Sequence, residues 1–222
     1  MIDKADHFSE ASVIIGAHRL EGHLTLPADA MGVVIFAHGS GSSRFSPRNR
    51  YVAEELARRG FATLLFDLLT ADEAEDRGNV FDIPLLAGRV VEAIDAVGAN
   101  RQTQGLPIGL FGASTGAAAA LVAAAHRPDT VAAVVSRGGR PDLASDDLPR
   151  VRAPTMLIVG GADVAVIDLN RAAMERMSCV KGLRIVKGAT HLFEEAGALE
   201  QVVEVAAFWF DAHMGGSDVE GF

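Results

Sequence analysis

The sequence predicts an α/β protein built on an open, mostly parallel sheet with helices on both faces. Two observations predict it. Short, continuous apolar runs recur at 33–36, 62–66, 108–111, 131–135, 155–159 and 183–186, which suits strands buried on both sides. Between them lie segments of helical periodicity with recognisable ends, and strand alternating with helix implies parallel strands joined by right-handed crossovers.

Each element follows from local chemistry. Residues 11–27 partly alternate in polarity about Glu21-Gly22, which suggests two short antiparallel strands ahead of the parallel set. Ser46-Pro47 reads as a helix cap and first position, with Val52 and Leu56 four apart and Gly60 as the stop. Further helices are expected at roughly 82–98, at an alanine-rich 115–126 ended by Pro128, and at 166–178. The last helix, 198–213, places Leu199, Val202, Val203, Ala206 and Phe210 on one face. With no repeat and no linker, the chain is expected to form one domain over 1–222, its core at about 11–213 and a frayed tail at 215–222.

Composition narrows the function. The 222 residues carry 20 basic and 29 acidic side chains, a net charge of −9, whereas nucleic-acid partners need a basic face. No apolar run approaches the roughly 20 residues that cross a bilayer, and the start lacks a basic flank followed by an apolar stretch, so a cytoplasmic location is expected. The single cysteine, Cys179, forms no intrachain disulfide and no cysteine metal cluster. His18 and His23 have no third ligand nearby in sequence, so no metal is expected there. Gly109-Leu110-Phe111-Gly112 fails the Gly-x-Gly-x-x-Gly pattern, which argues against a dinucleotide cofactor.

In open α/β sheets reactive groups gather in loops at the carboxyl ends of strands. Four such loops stand out. His38-Gly39-Ser40-Gly41-Ser42-Ser43 has small residues that let backbone N–H groups approach a ligand. Gly112-Ala113-Ser114-Thr115-Gly116 sits between a strand and a helix, the setting of a nucleophile elbow. Val159-Gly160-Gly161-Ala162-Asp163 puts an acid at a strand end, with Asp168 as its competitor and a helix-capping role as the plainer reading. Gly188-Ala189-Thr190-His191 follows the last apolar strand. In the chain order Ser, Asp, His these residues suit acyl transfer. His191 would take the proton of Ser114, Asp163 would hold the imidazole tautomer, and backbone N–H groups of Ser40 and Thr115 would receive the oxyanion.

These motifs, together with Leu192-Phe193 after the histidine, resemble the α/β-hydrolase family, and within it the dienelactone hydrolase-like branch, over about 11–213. The resemblance implies a cofactor-free hydrolase with an eight-stranded, mostly parallel sheet. It also implies an acyl-enzyme mechanism. The branch's namesakes carry a cysteine nucleophile where this chain has Ser114, so a carboxylesterase acting on small or medium esters is expected, with lactone hydrolysis and other acyl transfer as alternatives. A binding module that retains the fold without turnover is the competing class. Many relatives insert a cap after the strand ending near Arg137; the short interval 137–153 leaves no room for one.

Other residues admit two readings. Arg137 and Arg140 lie at a strand end beside the expected site, where a guanidinium either grips a substrate carboxylate or pairs with Asp142 or Asp146. Glu194 and Glu195 either tune His191 or cap a helix start. Specificity is expected from loops 40–46, 68–82 and 137–153. The acidic surface suits a monomer or a homodimer, with exposure of Phe208 or Trp209 the feature that would favour the latter.

Overall fold

The computed structural model describes residues 8–215, so the expected tail lies almost wholly outside the described residues. In chain order, β1 (Phe8–Ile15), β2 (Leu20–Pro27) and β3 (Gly32–Ala37) precede helix α1 (Pro47–Arg58) and β4 (Phe61–Phe66). Short helices α2 (Ala71–Glu75) and α3 (Arg77–Phe81) lead into the long α4 (Ile83–Ala99), then β5 (Ile108–Ala113), α5 (Thr115–His126) and β6 (Val131–Arg137). A 3₁₀ segment (Pro141–Arg150) connects to β7 (Thr155–Gly160), α6 (Val164–Arg176), β8 (Lys181–Val186) and α7 (Ala198–Met214).

Among the described residues the strands form one eight-stranded sheet in the order β1-β2-β4-β3-β5-β6-β7-β8. The pairs β1–β2 and β2–β4 are antiparallel and the rest are parallel. The amino-terminal hairpin departs from expectation. Its turn falls at residues 16–19, with Gly16 and Arg19 at positive φ, whereas Gly22 sits inside β2 opposite Val13. A Cβ on Gly22 would press at 3.0 Å on that of Phe66, so this glycine serves strand packing rather than a turn.

The core splits by strand alternation. Val33, Ile35 and Ala37 pack with α4 and α5, whereas Val34 and Phe36 pack with α1 and α7 on the opposite face. Phe36 and Phe111 meet there, ring centroids 4.9 Å apart. Each such buried side chain contributes about 1.5–3 kcal/mol over an exposed one. β3, β4 and β5 are buried along their whole length, as the continuous apolar runs require.

Topology then fixes where a site forms. From β3 the chain crosses to β4 on one side and later returns to β5 on the other, so the loops leaving β3 and β5 diverge and open a crevice. Two further features shape it. Residues 68–82, expected as a loop, are largely helical: Thr70 and Glu73 form a reciprocal cap for α2, and Glu73 anchors to the buried Arg89 of α4 at 2.7 Å. Between β6 and β7 only the 3₁₀ segment intervenes, and among the described residues no cap domain covers the crevice.

Candidate active site

The elbow is built by steric necessity. Ser114 has φ +52° and ψ −122°, a conformation unfavourable for a residue with a Cβ and held here by its neighbours. Its N–H donates to the carbonyl of Arg137 at 3.2 Å, and its own carbonyl accepts from Ala117 at 3.1 Å and Arg140 at 3.1 Å. A Cβ on Gly112 would lie 2.4 Å from the Ala117 Cα, and one on Gly116 2.3 Å from the Ala37 carbonyl oxygen. Glycine is therefore required at both ends of the turn.

Asp163 stands at the N-cap position of α6, yet its side chain caps nothing. Instead its Oδ2 accepts a hydrogen bond from Nδ1 of His191 at 2.7 Å. The carboxylate fixes the proton on Nδ1 and leaves Nε2 as a base. Asp168, the competing acid, is exposed and pairs with Arg171 at 3.5 Å. Ser114 and His191 line one cavity of about 260 Å³ with Ser40, Arg48, Asn49 and Arg137.

The loop after β3 behaves differently from the simplest expectation. The Ser40 N–H already donates to the Thr115 hydroxyl at 2.9 Å, so one expected oxyanion donor is engaged at rest. His38, the first residue of this loop, is a brace. Its Nε2 accepts from the Leu68 N–H at 3.1 Å, which puts the ring proton on Nδ1, 3.0 Å from the Gly39 carbonyl. Burial pushes its pKa below 6.5, keeping it neutral and joined to both loops. The same loop also lines a second cavity of about 350 Å³, walled by Leu68, Leu69, Val80 and Leu86.

Arg137 and Arg140 part company. Arg140 makes a two-pronged pair with Asp142 at 2.9 and 2.8 Å, which holds its pKa above the ordinary value, so the ion-pair reading is met for that residue. Arg137 is 6% exposed and has no carboxylate partner among the described residues; the expected pairing with Asp142 or Asp146 is corrected here. Its Nη2 donates to Asn49 Oδ1 at 3.3 Å, and its guanidinium stacks 5.8 Å from the Phe193 ring centroid.

The remaining residues resolve plainly. Glu195 accepts from the Thr190 N–H at 3.1 Å and so braces the histidine loop, while Glu194 pairs with Arg48 at 3.2 Å. His18 is not merely solvated: it contacts Arg89 and lies 3.6 Å from Glu92. The Cys179 thiol contacts the Thr155 hydroxyl at 3.9 Å, and burial raises its pKa, the opposite of a reactive thiolate. Trp209 is buried with its indole N–H on the Pro154 carbonyl at 3.2 Å, whereas Phe208 is exposed. Among the described residues no helix is long and apolar enough to cross a membrane. The sequence reading missed Arg48 and Asn49; the Ser46-Pro47 cap, which places both in the first turn of α1, was the available signal.

Comparison with known proteins agrees with this architecture. The model of the family described as "Dienelactone hydrolase family" matches residues 20–207. A dienelactone hydrolase from Anabaena variabilis, solved by crystallography, is 56% identical with a TM-score of 0.89, over 94% of this chain and 98% of that one. Est1E from Butyrivibrio proteoclasticus shares the fold at 17% identity, TM-score 0.77, over 91% of this chain and 98% of its own. Two proteins of Mycobacterium tuberculosis strains, each named putative phosphoribosyl transferase, are 56% identical over 96% of this chain. This chain spans 48% of their length, so their name describes proteins about twice as long. Profile, identity and fold converge, and the chain belongs to the dienelactone hydrolase family.

Proposed function

We propose that the protein is a serine hydrolase that cleaves a small or medium carboxylic ester through an acyl-Ser114 intermediate. The observation that carries this reading is the pairing of a strained Ser114 elbow with His191 held by Asp163 at 2.7 Å, serine and histidine facing one cavity. Nε2 of His191 takes the Ser114 proton as Oγ attacks the carbonyl, and the imidazolium is stabilised by Asp163. The developing oxyanion accepts from the Thr115 N–H at the start of α5 and from the Ser40 N–H, displacing the Thr115 hydroxyl from the latter. His191 returns the proton to the leaving alcohol, then activates water for deacylation. No step calls for a cofactor. The name of the Anabaena variabilis relative puts lactones on the same substrate panel.

A fluorophosphonate probe tests the reading directly. Intact mass and peptide mapping are expected to find Ser114 modified in the parent protein and no adduct on Ser114→Ala. An unlabelled parent would remove the activated serine and favour a binding module on the same fold.

A further inference from the structure

The cavity that holds Ser114 and His191 is also unusually cationic for a protein of net charge −9. Arg137 reaches it from the end of β6, one register step from the elbow, because Arg137 pairs with Ala113 across the sheet. Arg48 reaches it from the first turn of α1, the helix capped by Ser46. The Nε of each guanidinium is buried without a hydrogen-bond partner. Burying a cation with no opposite charge is costly, so Arg137, which has none among the described residues, is poised for an anion that arrives with the ligand. Burial together with the neighbouring Arg48 brings the Arg137 pKa down to about 10, which leaves it charged at neutral pH.

We propose that this corner of the cavity is a phosphoryl subsite, and that the ester hydrolysed here carries a phosphate or phosphonate group beside the scissile carbonyl. Two guanidinium donors converge on it, Arg137 and Arg48, the latter in the first turn of α1, where the helix dipole adds a partial positive charge. A planar carboxylate is satisfied by one fork-shaped guanidinium, whereas a tetrahedral dianion presents oxygens in several directions and balances two cations. Asn49, itself buried, orients Arg137 through the 3.3 Å contact. Among the described residues the competing counter-charge of Arg48 is Glu194, at 3.2 Å, and that carboxylate is 64% exposed, so solvent screens the pair.

The subsite rests on the hydrolase reading only for the identity of the substrate; anion binding is measured without turnover. Calorimetric titration of the full chain with inorganic phosphate is expected to give saturable one-to-one binding. Arg48→Gln and Arg137→Gln should each weaken it by about tenfold or more, the scale of a charge-assisted hydrogen bond. Arg48 is part-exposed, so its variant keeps the test decisive if Arg137→Gln fails to fold. Phenylphosphonate should bind more tightly than benzoate, and a phosphonate-bearing ester should show a lower KM than its neutral isostere, an advantage that Arg48→Gln removes. Absence of saturation, or binding unchanged in Arg48→Gln, overturns the subsite. Benzoate binding as well as phenylphosphonate overturns the phosphoryl assignment. Phosphate binding without fluorophosphonate labelling of Ser114 would sink the hydrolase reading and leave the subsite standing; labelling without phosphate binding would do the reverse.

Discussion

Two cavities flank the loop that leaves β3, and they differ in almost every property except that they share Gly39, Ser40 and Ser42. One, near 350 Å³, is walled by Leu68, Leu69, Val80 and Leu86 and by the short helices before α4. The other, near 260 Å³, holds Ser114, His191, Arg48 and Arg137. The larger and more apolar cavity is not lined by Ser114 or His191, so size alone would not have pointed to the candidate site. On the proposed reading the difference gives the substrate a direction. An apolar portion would gain by leaving water on the Leu68 side and a charged portion on the Arg137 side, with the carbonyl at Ser40 and Thr115.

That division is open to experiment. The largest effect belongs to the shared centre: Ser114→Ala and His191→Ala should each lower kcat by about 10⁴-fold with any ester, whichever cavity its substituents prefer. Residual turnover near the parent level would place the chemistry elsewhere. Next comes the acid. Asp163→Asn should cost about 10³- to 10⁴-fold by favouring the wrong imidazole tautomer, while Asp168→Asn, at an exposed site, should change kcat less than about twofold. Equal losses in the two variants would reassign the partner of His191.

A smaller effect separates the cavities themselves. Val80→Asn puts an amide into the apolar wall and should raise KM for esters with an extended apolar group by about tenfold, with kcat little changed and phosphate binding untouched. If phosphate binding moves equally, the two cavities act as one. The smallest effect concerns the brace between them. Because burial depresses the His38 pKa below 6.5, the unfolded chain binds more protons than the folded one as pH falls through that value. Stability is then fully present above about pH 6.5 and declines toward the lower folded-state pKa. Thermal melting of His38→Gln should show a flatter pH dependence than the parent between pH 5 and 7; identical slopes would mean that other groups set it.

The two regions were not equally legible in sequence. The candidate centre is legible, because each of its parts needs a residue type at a strand end. A turn packed against Ala37 and Ala117 demands Gly116 and Gly112, and the serine between them stands out only together with Asp163 and His191 at later strand ends. The apolar cavity is not, because Leu68, Leu69, Val80 and Leu86 look like ordinary core residues in sequence, and the helical order of 68–82 depends on the Arg89 anchor, which comes from α4. The hairpin turn was misplaced for a related reason. Gly22 looks like a turn glycine, yet it is crowded by Phe66 of β4, a strand some forty residues on.

Local periodicity and short-range sterics, both readable along the chain, account for the alternation of strands and helices, the elbow, and the order Ser114, Asp163, His191. Folding in three dimensions sets which acid meets His191, holds the Ser40 N–H on Thr115, and buries Arg137 without a carboxylate among the described residues while Arg140 has one. Those outcomes depend on side chains brought together from distant strands and loops, and a buried charge reveals its partner, or the want of one, only after the chain has closed around it.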